Sequence, residues 1–246
     1  MLPAADVNSV LIYAVNSGLL AGLDEFYAGL PEKECEGCNK CCDRAPEASF
    51  IEYLAVYRYL QNELTENHAE VVRRVVDFFF LELVDPGQRC PFNDEVEGCL
   101  IRPVRPLHCR LFGILSKEDY EETERKRVSR LEKIAEGFRA EYGIEIPAAV
   151  LAPRPFCEKK QGETEQHADV TDIDIRKMRL MSYDASIVAP ERVFREMTYL
   201  SLPVYLAMTV LNPGIRGKRV EVMQAFLQGS RELLDKYAGR AASFRF

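Results

Sequence analysis

Residues 35–42 read Cys35-Glu36-Gly37-Cys38-Asn39-Lys40-Cys41-Cys42 and place four thiols within eight positions. Core packing does not call for such a run. Thiolates three residues apart can converge on one metal ion across a single turn, so Cys35, Cys38 and Cys41 form a nest closed on one side and a further ligand has to come from elsewhere. Cys90, Cys99 and Cys109 fall in a second short stretch, and Cys157 ends a proline-punctuated segment, so all eight cysteines lie between residues 35 and 157.

A disulfide framework is the competing explanation. It belongs to short secreted chains, and this chain opens MLPAADVNSV, without a basic region leading into an apolar run and a cleavage site. A bridge between the adjacent Cys41 and Cys42 would also be strained. At 246 residues with 47% hydrophobic content the chain can bury a substantial core without metal to supply bulk. The net charge of -7 argues against a nucleic-acid surface, and no apolar run approaches the ~20 residues that span a bilayer. The expectation is a cytoplasmic protein that engages neither nucleic acid nor membrane, with a protein substrate or partner left open.

Helical periodicity surrounds the cysteines and gives a mainly α fold with an irregular cysteine-rich portion and no extensive sheet. Val10, Leu11, Ala14, Leu19, Leu20, Leu23, Phe26, Tyr27 and Leu30 predict one helix closed by Pro31. Ser49 and Glu52 have the spacing of a capping box for a helix reaching about Leu64. Val72, Val75, Val76, Phe79 and Leu83 stripe the next helix before the Asp85-Pro86-Gly87 break. From Arg89 to Leu115 the prolines and glycines exclude a long regular element. Val128, Leu131, Ala135, Phe138 and Tyr142 mark a charged helix that Gly143 ends. Residues 158–171 read as a polar linker. It divides a cysteine-bearing domain, 1–157, from a C-terminal helical segment, 172–246, packed on it. Within that segment, helices are expected at 173–187, at 191–211 with a kink at Pro203, and at 219–237.

Adjacent side chains diverge by about 100° in a helix and nearly 180° in a strand, so Cys41 and Cys42 are placed to serve different centres, although one centre with spare cysteines is equally permitted. Overlapping CxxC steps, in place of two separate CxxC knuckles, lean toward an iron–sulfur cluster, 4Fe-4S favoured, over zinc. All eight cysteines, Cys35, Cys38, Cys41, Cys42, Cys90, Cys99, Cys109 and Cys157, are candidate ligands. Lys40, Arg44, Arg89, Arg102, Arg105 and Arg110 stand beside cysteines and would offset thiolate charge. The sharper reading gives Arg102, Arg105 and Arg110 a cofactor-binding role, their bidentate forks gripping a carboxylate or phosphate. His108 is either a ligand or hydrogen-bond partner of the centre or an ordinary loop histidine. His68 and His167 read as structural or solvent-facing. No catalytic residue is assigned.

The four clustered cysteines, together with Cys90-Pro91-Phe92, Cys99, Ile101, Arg105-Pro106, Cys109-Arg110 and Phe112, resemble the CxxCxxCC cysteine-cluster family, which is described as zinc- or iron-chelating. The resemblance covers residues 35–112 and extends to Cys157. It implies a metal-binding protein. Because that family includes flagellin lysine N-methylases, it also implies, as an alternative, S-adenosylmethionine as a cofactor and methyl transfer to protein lysines. The chain has neither a glycine-rich strand-to-helix fingerprint nor the CxxxCxxC pattern of radical enzymes. A third reading makes zinc purely structural in a protein-interaction module.

Overall fold

A computed structural model of the chain describes residues 2–30, 42, 45–112, 115–156 and 170–246. Cys35, Cys38, Cys41, Cys157, His167, Lys40, Arg44 and most of the expected linker lie outside the described residues. The fold is mainly helical, and its sheet content among the described residues is two short two-stranded ribbons.

The predicted first helix is two, α1 (Ala4–Asn16) and α2 (Leu19–Ala28). Gly18 breaks them with φ of 77°, a left-handed conformation that glycine adopts without the steric cost a Cβ brings. The apolar spacing runs through the break because both helices face the same core, with Val7, Val10, Leu20 and Leu23 all buried. Taken together the pair has the apolar length of a membrane span, but the two helices meet at 67°. No single helix among the described residues is long and apolar enough to cross a membrane.

The short strand β1 (Glu47–Ala48) precedes α3 (Phe50–Glu63) and α4 (His68–Leu81). The capping box opens α3 as predicted: the Ser49 side chain engages the backbone of the third helical residue, Glu52, and the Glu52 carboxylate reaches back to the Ser49 N–H. Phe50, Tyr53, Leu54 and Tyr57 of α3 are fully buried, each side chain contributing roughly 1.5–3 kcal/mol by burial. His68 is structural, its ring packed edge-on against Phe246 and its Nε2 hydrogen-bonded to the Leu60 carbonyl.

The predicted irregular stretch contains β2 (Asn93–Asp94), β3 (Gly98–Cys99), a 3-10 turn at Arg102–Val104 and the five-residue helix α5 (Leu107–Leu111). α6 (Lys117–Tyr142) then begins well before its first striped apolar residue, Val128. Asp119 N–H donates to the Ser116 Oγ at its start, and Gly143, at φ 66°, ends it. α7 (Ala148–Leu151) follows, and α8 (Val170–Ala185) resumes the chain.

The expected 191–211 helix is divided. α9 (Glu191–Phe194) stops early, β4 (Leu200–Ser201) pairs antiparallel with β1, and α10 (Leu202–Val210) starts there. Pro203 falls in the first turn of α10, where no N–H is required of it, so it starts a helix and does not kink one. α11 (Pro213–Arg216) is a single turn. The expected 219–237 helix splits into α12 (Arg219–Leu227) and α13 (Glu232–Ala241) around Gly229, whose φ is 86°. α10, α12 and α13 pack on α4, and α8 packs on α2 and α3. Tyr53 and Tyr205 stack at 5.0 Å, and the Tyr53 hydroxyl shares a 2.7 Å hydrogen bond with Thr209, tying α3 to α10.

Candidate metal centre

The described cysteines are Cys42, Cys90, Cys99 and Cys109, and the backbone brings the first three into one neighbourhood. The Cys90 N–H donates to the Cys42 carbonyl at 2.8 Å, joining the two cysteine groups across 48 residues of sequence. Beyond Cys90 the chain turns, with Asn93 N–H on the Cys90 carbonyl at 2.9 Å, and enters the ribbon in which Asn93 lies opposite Cys99. Gly98 takes φ of 74° at the ribbon's return. The Asp94 carboxylate accepts the Val96 and Glu97 N–H groups, and Arg74 of α4 clamps the Asn93 carbonyl and Asp94. Phe92 and Ile101 are buried beneath, so the ribbon is stapled to the helical core from below.

Cys109 sits on α5, which a buried carboxylate holds in place. Glu52 Oε1 accepts the Leu107 N–H and the Tyr27 hydroxyl, both at 2.5 Å. Its Oε2 accepts the Ser49 N–H at 2.7 Å and the Ser49 hydroxyl at 3.0 Å. One side chain thus ties together α2, the start of α3 and the first residue of the helix that carries Cys109. Burial raises the Glu52 pKa, and the donors from Leu107, Tyr27 and Ser49 oppose that rise. Sequence reading found Glu52 as a capping residue, but nothing in the spacing signals its bonds to Tyr27 and Leu107, 25 and 55 residues away.

The three predicted arginines are placed differently from one another. Arg110 stacks over the Tyr27 ring at 4.1 Å and gives its Nε to the Arg105 carbonyl and its Nη2 to the Pro103 carbonyl, both at 2.8 Å. Two of its donors therefore brace the cysteine loop. The Nε of Arg105 is buried with no hydrogen-bond partner among the described residues, whereas Arg102 is exposed at the 3-10 turn.

His108 is half-buried and lines a cavity of about 350 Å3 bounded by the end of α4 and by α5, α6, α7 and α8. Burial foremost, then the Arg154 and Lys177 charges, push its pKa down to about 3, so the imidazole is neutral. Across the cavity Glu124, on α6, accepts from Arg154 Nη2 at 2.6 Å and Arg127 Nε at 2.9 Å. Burial favours its neutral form, yet those arginines hold its pKa down to about 2. No sequence signal pointed to this cavity, because its wall draws on residues from 45 to 201.

Cys42 and Cys90 are joined through the backbone, and cysteine sulfur suits a thiophilic ion such as zinc or iron. Among the described residues no three Cys, His, Asp or Glu side chains form a metal site by themselves, and half of the cysteines lie outside those residues. No curated protein and no solved structure matches the chain. Residues 34–129, which carry seven of the eight cysteines and the Cys42–Cys90 junction, match the CxxCxxCC family, whose description is "putative zinc- or iron-chelating domain".

Proposed function

We propose that the protein binds zinc or iron through clustered cysteine thiolates, and that the ligands come from both cysteine groups. The observation that carries this reading is the Cys90 N–H bond to the Cys42 carbonyl, which draws the second group to the end of the CxxCxxCC run. The finer reading is iron held as a 4Fe-4S cluster, supported by the overlapping CxxC steps at Cys35, Cys38 and Cys41. The bound centre would neutralise and fix thiolates that otherwise repel one another, so its binding free energy adds directly to the stability of the fold.

The test is metal and acid-labile sulfide analysis, with a visible spectrum, on protein purified without oxygen. Iron with matching sulfide is expected for the cluster, and zinc without sulfide replaces it with a structural site. Cys42→Ser and Cys90→Ser are each expected to lower metal content and melting temperature together. Full metal content and unchanged stability in both variants would refute ligation shared between the groups.

A further inference from the structure

We propose that Asn93 is a positioning residue of the thiolate centre, its side-chain amide donating an N–H to the Cys99 sulfur when that sulfur is a metal-bound thiolate. The inference rests on the reading of Cys99 as a ligand and adds to it a residue that is not one.

The ribbon sets the two side chains together. The Leu100 N–H donates to the Phe92 carbonyl at 2.9 Å, so Phe92 and Leu100 form a hydrogen-bonded pair. One step along, Asn93 opposite Cys99 is then a non-hydrogen-bonded pair, the kind in which facing side chains stand closest. Their Cβ atoms are about 4.5–5.5 Å apart in such a pair, within reach of an amide and a sulfur. Side chains alternate along each strand, so Phe92 and Leu100 turn into the buried core and Asn93 and Cys99 share the opposite face. The backbone beneath the amide is held on both sides, by the Asn93 N–H on the Cys90 carbonyl and by Arg74 on the Asn93 carbonyl.

The Oδ1 of Asn93 is buried with no hydrogen-bond partner among the described residues. A buried acceptor to which nothing donates is destabilising, so the oxygen gives the fold no bond that would account for an amide at this position. Turned end for end, the same amide places its NH2 where the oxygen stands, and a donor is what a metal-bound thiolate takes from its surroundings. The neighbouring polar groups are spent elsewhere. Asp94 accepts the Val96 and Glu97 N–H groups, and Arg74 is engaged by Glu70, Asp94 and the Asn93 carbonyl. A neutral donor would steady the sulfur and fix its direction without adding a charge.

Zinc binding to the reduced, metal-free full chain, measured by competition with a chromophoric chelator, tests this. Asn93→Leu should weaken binding about 10–100-fold, the loss usual for a group that orients a ligand, while the urea midpoint of the metal-free chain stays unchanged or rises. Asn93→Asp keeps the shape and the oxygen but carries no N–H, and should weaken binding at least as much. In the cobalt-loaded chain both substitutions should move the thiolate-to-cobalt charge-transfer band to longer wavelength, a readout that a purely structural role would leave in place. Affinity and band position unchanged in Asn93→Leu would overturn the proposal, and so would tighter binding by Asn93→Asp, which would make the amide oxygen itself a ligand. Cys99→Ser separates the two failures. Binding weakened by Cys99→Ser but not by Asn93→Leu refutes the role of Asn93 alone, whereas full affinity in Cys99→Ser removes Cys99 from the ligands and the proposal with it.

Discussion

Replacing Glu52 by Gln changes one atom in a site where four donors converge, and its cost can be worked from the geometry. Oε1 receives Leu107 N–H and Tyr27 hydroxyl, and Oε2 receives Ser49 N–H and Ser49 hydroxyl. The amide of Gln supplies one acceptor oxygen and turns its NH2 toward the other pair. Hydroxyls can rotate and accept, but a backbone N–H cannot. Whichever way the amide sits, at least one buried N–H, Ser49 or Leu107, is left facing another donor. The cost of one such orphan is about 1–3 kcal/mol, and losing the charge of the acceptor weakens the bonds that remain. We expect a loss of about 2–4 kcal/mol, which for a chain of this size lowers the melting temperature by roughly 5–12 °C. Glu52→Ala strands both N–H groups and should cost more than Gln.

Urea unfolding followed by far-ultraviolet circular dichroism measures this, with midpoints compared at a common slope. The order of stability should run wild type, Gln, Ala. A Gln variant within about 0.5 kcal/mol of wild type would sink the argument, because it would mean that the four short contacts at Glu52 do not hold α5 to α3.

Two carboxylates, Asp184 half-buried and Glu124 buried, should give pH dependences of opposite sign. Burial raises Asp184 to about 6 although Phe50 and Ile51 N–H groups donate to it, so its native form binds a proton more readily than the unfolded chain does. The stability advantage of wild type over Asp184→Asn should therefore shrink as pH rises from about 4 to about 6, and a difference that stays flat in urea titrations across that window contradicts it. Glu124, held at about 2 against the pull of burial, contributes stability that is full above pH ~4.5 and is lost as pH falls toward 2. The gap between wild type and Glu124→Gln should close on acidification, and a gap that widens reverses the assignment. Gly143→Ala places a Cβ in open space at φ 66°, so its cost is the backbone term alone, about 1 kcal/mol and a thermal shift of roughly 2–4 °C. A silent variant would show that the end of α6 does not depend on the left-handed cap.

The elements legible in the sequence were those whose signal is local. Ser49 with Glu52 carries its own partner three residues on, the valines of α4 repeat on one face, and Gly143 closes α6 by its lack of a Cβ. Breaks that preserve the buried face were not legible. Apolar spacing continues past Gly18 and past Gly229, so periodicity reads two helices as one, although each glycine stands at the turn as a visible punctuation. Pro203 reads as a kink in the sequence because the β4 pairing that starts α10 beside it depends on β1, more than 150 residues earlier. The cysteines themselves name a chemistry, but the carboxylate that holds α5 and the cavity behind it arise from residues brought together by packing, and pairwise distance is not written in composition or period.

Two helices of equal length separate the two cysteine groups in the chain. α3 and α4 have 14 residues each, about 21 Å apiece, and the chain turns between them at residues 64–67. Cys42 stands eight residues before the first residue of α3, and Cys90 stands nine after the last residue of α4, so the connecting segments are also nearly matched. The hydrogen bond from Cys90 to the Cys42 carbonyl closes that excursion. Both helices therefore lie inside the loop that this bond closes. Inserting one residue into α4 would rotate the following segment by about 100° and advance it by about 1.5 Å, carrying Cys90 away from Cys42 while every cysteine is retained. If metal content survived such an insertion in a folded protein, the two groups would not be sharing a centre, and the helices would be supporting the cysteine region without setting its register.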